Sequence, residues 1–133
     1  MMIRTLLLTA LLPLSAIAAE SPMTAEEFDS YSQGKTFYYG AEGRAYGVEE
    51  YLSDRRVRWS FLDGRCKEGH WYEANGLICF VYEDGPDDPQ CWTFFQRPAG
   101  IVARFENDPL ATELYEVEKS TEPMQCMGPD VGV

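Results

Sequence analysis

Apolar and polar positions alternate in short runs from Thr36 to Phe105, and turn residues separate the runs. This is the signature of half-buried antiparallel strands. The clearest case is Arg55 to Leu62, which puts Val57, Trp59 and Phe61 on one face and Arg56, Arg58 and Ser60 on the other. Thr36–Tyr39 and Arg44–Leu52 read as strands before it. Asp63-Gly64 reads as a hairpin turn leading into Arg65–Tyr72, and Asn75-Gly76 is the strongest hairpin signal in the chain. Gly76–Tyr82 and Gln90–Phe95 follow, joined by the turn-rich segment Glu83–Pro89. Pro98-Ala99-Gly100 then turns the chain into Ile101–Phe105. Ahead of the strands, Thr24 and Glu27 form a capping box, with Met23 and Phe28 at the staple positions, so a short helix is expected over Ala25–Tyr31. No strand–helix–strand alternation occurs, which argues against a parallel sheet. The expected fold is mainly β: an antiparallel meander or partly closed small β-barrel with a short N-terminal helix.

The segment after Phe105 admits two readings. Asp108-Pro109 suits the start of a helix with Leu110, Leu114 and Val117 on one stripe. Glu113–Glu118 equally suits a last strand, with Tyr115 and Val117 on one face and Leu114, Glu116 and Glu118 on the other. The strand is preferred, because the strand before it needs a partner.

The N-terminus changes the picture from fold to compartment. Met1–Arg4 is a short basic leader, Thr5–Ile17 is an apolar run, and Ala16-Ile17-Ala18 is a small-x-small cleavage site. This reads as a signal peptide, because the run is too short for a membrane anchor. The expected division is residues 1–18 signal peptide, 19–121 a single β-rich domain, and 122–133 a tail tethered by Cys126. The expected location is periplasmic or secreted, and the signal is of bacterial style.

Cys66, Cys79, Cys91 and Cys126 all lie in the mature part. An even count in an oxidising compartment points to two disulfides, for which three pairings exist in principle. If the 76–95 hairpin is centred on Gly85, Cys79 faces Cys91 and a cross-strand bridge fits. A two-residue turn at Asp84-Gly85 would put them on opposite faces and forbid it. The preferred pairing is Cys79–Cys91, leaving Cys66–Cys126 to tie the tail to the sheet.

The run Gly69-His70-Trp71, Gly76-Leu77-Ile78-Cys79-Phe80 and Cys91-Trp92 resembles a small family of exported bacterial β-rich domains of unknown function. Those domains share a G-x-W, a G-x-x-C-F and a C-W or C-F on successive strands. The resemblance spans roughly residues 24–106. It implies a β-rich fold and a bridge between Cys79 and Cys91, and it implies no activity.

Candidate chemistry is sparse. His70 is the sole histidine. If Trp71 points inward, strand alternation turns His70 outward. One histidine and paired cysteines leave no nucleophile–base arrangement, and no metalloprotease, P-loop or dinucleotide motif occurs. The chain therefore reads as a non-enzyme without a cofactor. Asp84, Asp87 and Asp88 in one loop suggest calcium, but they read better as a solvated hairpin tip, since the spacing is not that of an EF-hand. Met124-Gln125-Cys126-Met127 is soft enough for Cu(I) only if Cys126 is reduced. No metal is expected.

Partners remain. The formal charge of −11 repels nucleic acid and anionic lipid. No segment after the leader is apolar enough to span a bilayer. Arg55, Arg56 and Arg58 form the one basic cluster, and Tyr38 and Phe95 belong to consecutive aromatic pairs, of which one member must leave the core or meet a second layer. These five are the candidate ligand or partner surface. The leading expectation is a non-catalytic accessory or binding protein of the cell envelope. The alternatives are an acidic inhibitor of a basic, lysozyme-like hydrolase and a lipocalin-like carrier of a small apolar ligand. The partner is then a basic envelope protein or a small ligand.

Overall fold

The computed structural model describes residues 20–106 and 112–126. The leader, the Asp108-Pro109 helix start, Leu110 and the tail from Met127 onward lie outside the described residues. Eight strands close into an antiparallel barrel in simple sequence order, with the last strand hydrogen-bonded to the first. They are β1 (Thr36–Ala41), β2 (Arg44–Tyr51), β3 (Arg56–Ser60), β4 (Lys67–Ala74), β5 (Leu77–Tyr82), β6 (Gln90–Arg97), β7 (Gly100–Phe105) and β8 (Glu113–Ser120). The strand reading of Glu113–Glu118 holds. Its neighbours on both sides, β7 and β1, supply the backbone partners that a lone strand would lack.

Alternation sends one face of each strand inward. The interior is filled by Phe37 and Tyr39, Tyr51, Val57 and Trp59, Trp71, Ile78, Phe80 and Tyr82, Phe94, Ile101 and Ala103, and Leu114. Large rings dominate because eight strands enclose a space just wide enough for side chains. Helix α1 (Ala25–Ser32) closes one end. The expected capping box at Thr24 and Glu27 is formed. It aims Phe28, fully buried, into the barrel, where its ring meets Tyr51, Trp71, Phe80 and Phe94. The segment before the helix fills a gap in the wall. β5 and β6 pair only over Ile78↔Trp92 to Phe80↔Gln90, and beyond that the Met23 amide donates to the Phe94 carbonyl at 2.7 Å.

Both expected disulfides are present, Cys66–Cys126 and Cys79–Cys91. Cys79 stands opposite Cys91, so the hairpin is centred on Gly85. A Cα separation of 4.0 Å is the close approach of directly opposed residues. The C-terminal segment crosses the outside of the barrel as a strap. Thr36 Oγ1 donates to the Glu122 carbonyl at 2.8 Å, and the Met124 amide donates to Glu50 Oε2 at 2.7 Å. Cys126 then bonds to Cys66 in the β3–β4 loop.

One turn differs from expectation. β4 begins at Lys67 rather than Arg65, because Trp59 pairs with Lys67 and residues 61–66 form a loop around Asp63-Gly64 instead of a tight hairpin. A two-residue turn at Glu42-Gly43, with φ of 51° and 77°, joins β1 to β2. It uses the left-handed geometry that Asn75-Gly76 uses between β4 and β5.

Candidate functional site

The helix and the 53–55 turn occupy one end of the barrel, and toward the opposite end the described residues leave a space. There strand residues, together with Phe61 of the β3–β4 loop, line a cavity of about 50 Å³. Tyr39, Tyr51, Phe80 and Phe94 lie among its inner lining residues, and Tyr46, Trp59, Phe61, Lys67, Gln90 and Trp92 line it toward the rim. Gly47 makes this geometry available. A Cβ there would collide with the six-membered ring of Trp59, which lies across the inner face of β2.

The site is built around a buried carboxyl. Glu49 faces inward between Gly47 and Tyr51 and is 1 % exposed. The Tyr82 hydroxyl donates to its Oε1 at 2.8 Å. Its Oε2 has no hydrogen-bond partner among the described residues. Burial pushes the Glu49 carboxyl up to about 8, against the smaller opposing pull of the Tyr82 hydroxyl and the Lys67 charge. Glu49 is therefore mainly the neutral acid at pH 7. Leaving one of its oxygens unpartnered costs about 1–3 kcal/mol. The nearby Tyr39 and Tyr51 hydroxyls satisfy each other at 2.8 Å. Burial raises the phenols of Tyr39, Tyr51 and Tyr82 well above their ordinary value.

Lys67 is the cation that lines the cavity. Its Nζ lies 4.8 Å from the Tyr82 ring centroid and 5.4 Å from that of Phe61, and Asp84 holds it from outside at 3.4 Å. Phe61, 54 % exposed, lies beyond the end of β3 instead of joining Val57 and Trp59 inside, and Leu62 beside it is also exposed.

The residues singled out from the sequence do not converge on one surface. Arg55 lies in the 53–55 turn at the helix end, with its guanidinium 4.3 Å from the Trp71 ring centroid. Arg56 is exposed on the outside and bonds to Ser53. Arg58 is neutralised by Glu68 at 2.7 Å and approaches Glu50 at 3.9 Å. Tyr38 lies half-buried on the outside of β1. Phe95 is buried on the outside of β6, where Arg104 stacks over its ring at 5.0 Å. His70 points outward, as Trp71 points in. Among the described residues no group of three or more His, Cys, Asp or Glu side chains could hold a metal ion, and no helix is long and apolar enough to cross a membrane.

Sequence reasoning missed Glu49. It sits beside Glu50, and alternation sends one of the pair in and the other out. Glu49 shares the inward face with Tyr51, but nothing in the neighbouring residue types separates the two glutamates in advance. No protein-family model, curated protein or solved structure matches this chain.

Proposed function

We propose that this protein is a non-catalytic binding protein of the cell envelope that takes a small ligand into the open end of its barrel, in the manner of a lipocalin-like carrier. The observation that carries this reading is the aromatic cavity around Glu49, which is open at one end and sealed by Phe28 at the other. Ligand sites are concave and mostly apolar, with a few polar groups that fix orientation, and this cavity has that composition. An unpartnered buried oxygen is costly, and retaining it is consistent with a role in binding. Paired cysteines and the N-terminal leader motif support a periplasmic or secreted location. The test is mass spectrometry of small molecules released on denaturing the oxidised protein, with titration of tryptophan fluorescence, since Trp59 and Trp92 line the cavity. A protein that carries nothing and whose fluorescence ignores small amphiphiles would sink the reading.

A second reading rests on Phe61 and Leu62. They project from a loop pinned by Cys66–Cys126, beside Asp63, Glu83 and Asp84. Arg65 and Lys67 lie there too, so the local surround is mixed, and it is the strongly acidic chain as a whole, with a rigid apolar tip, that suits the inhibitor of a basic hydrolase. It predicts a salt-sensitive complex with a lysozyme-like enzyme that Phe61→Ala abolishes.

A further inference from the structure

We infer that the cavity receives the ammonium head of a primary amine, which docks on Glu49 Oε2 while its alkyl chain leaves past Trp59 and Phe61. The inference rests on the small-ligand reading above and names the class of ligand. Three observations converge on it. Glu49 is among the residues that line the cavity, and its Oε2 is buried and lacks a partner among the described residues, whereas Oε1 is already occupied by the Tyr82 hydroxyl. The rings around it are the kind that hold cations on their faces. Two of them, Tyr82 and Phe61, already face the Lys67 ammonium at the rim, so a tethered example of the same group rests against this mouth. The third is size. A volume of about 50 Å³ takes a head of a few heavy atoms and leaves the rest of a chain outside. The strongly negative chain also raises the local concentration of cations.

Docking an ammonium has a chemical consequence. Glu49 begins as the protonated acid. The arriving ammonium converts it to a carboxylate paired with the amine, and the carboxyl proton goes to solvent. The charged and titratable groups that bear on this step are Tyr82 from β5, Lys67 from β4, Tyr39 from β1 and Tyr51 from β2 itself. Glu116 of β8 acts on Tyr39, and Asp84 acts on Tyr82. Lys67 is the one cation among them. Its charge repels the arriving ammonium but also favours the Glu49 carboxylate that the ammonium needs.

The experiment is calorimetric titration of the oxidised protein with n-butylamine and, separately, n-butanol, in two buffers of different ionisation heat. The expected result is that the amine binds at least about tenfold more tightly than the alcohol and releases about one proton at neutral pH, with affinity rising about tenfold per pH unit below pH 8. Glu49→Gln should abolish both the preference and the proton release. Proton release is read on the unsubstituted protein, so the test does not depend on that variant folding. If the alcohol binds as well as the amine and no proton is released, the ammonium assignment is overturned while the small-ligand reading stands. If neither probe binds and the protein carries no small molecule, both fall.

Discussion

Replacing Glu49 with Gln isolates one buried ionisable group and gives its effect a sign. The folded-state value of about 8 lies above the ordinary 4.5. The protonated folded form is therefore favoured, and the stability this group contributes is fully present below pH 4.5 and lost as pH rises through 8. At about 1.4 kcal/mol per pH unit, the gap amounts to about 5 kcal/mol by pH 9, of which about 3 kcal/mol is already lost at pH 7. Gln has the shape of the neutral acid, still accepts from Tyr82 and never ionises. The variant should match the parent at pH 4, exceed it by about 3 kcal/mol at pH 7 and by about 5 kcal/mol at pH 9. The assay is urea unfolding of both oxidised proteins at the three pH values, read as the difference between them so that other groups cancel. A difference that stays within about 0.5 kcal/mol from pH 4 to pH 9 would mean that Glu49 ionises as freely in the barrel as in the unfolded chain.

Other substitutions probe the frame around the site. Phe28→Ala removes the plug from the helix-closed end and should cost about 3–5 kcal/mol in urea unfolding. A loss below about 1 kcal/mol would mean that the helix does not seal the barrel. Breaking Cys66–Cys126, with its sequence separation of 60, should cost about 4 kcal/mol, against about 3 kcal/mol for Cys79–Cys91 with its separation of 12; the reverse order would argue against a chain-entropy origin. Gly47→Ala drives a methyl group into Trp59 and should both destabilise the barrel and shift Trp59 emission. Unchanged emission and stability would place the Trp59 ring elsewhere. In ultraviolet titration, Tyr39, Tyr51 and Tyr82 should ionise late, and Tyr31, whose phenol burial and Glu116 push up to about 12, should join them. These phenols favour the folded state below pH 10 and cease to as pH rises through their folded values, so alkaline unfolding should accompany their ionisation. Normal titration of all eight tyrosines in the folded protein would contradict this.

The frame was legible because it follows from local rules. Period-two patterning located the strands, Thr24 and Glu27 located the helix, and the Gly85-centred hairpin located Cys79 opposite Cys91. Full closure of the barrel was less legible, since pairing between β1 and β8 spans most of the chain and leaves no local trace. The Glu42-Gly43 turn has a weaker signature than Asn75-Gly76, although both adopt the same left-handed geometry. The site was least legible. Arg55, Arg56 and Arg58 adjoin in sequence, yet the 53–55 turn sends Arg55 to Trp71, while Arg56 and Arg58 meet partners on the outer wall. Phe95 is covered by Arg104 from a strand that only the folded register brings alongside. Glu49 acquires its chemistry from rings on four other strands, and no stretch of sequence contains that environment.

The closure of β8 on β1 imposes an order on maturation. Cys79 and Cys91 belong to one hairpin, so their bond can form as soon as that hairpin exists. Cys66 and Cys126 meet only after the chain has passed through β8 and laid its strap across Thr36 and Glu50. Oxidative refolding should therefore pass through a species holding the local bridge alone, with the long-range bridge acting as a latch on a finished barrel. Because the latch is fastened to the loop that carries Phe61 and Leu62, its closing also completes the rim of the cavity, so a protein trapped with one bridge should have its wall but not its mouth.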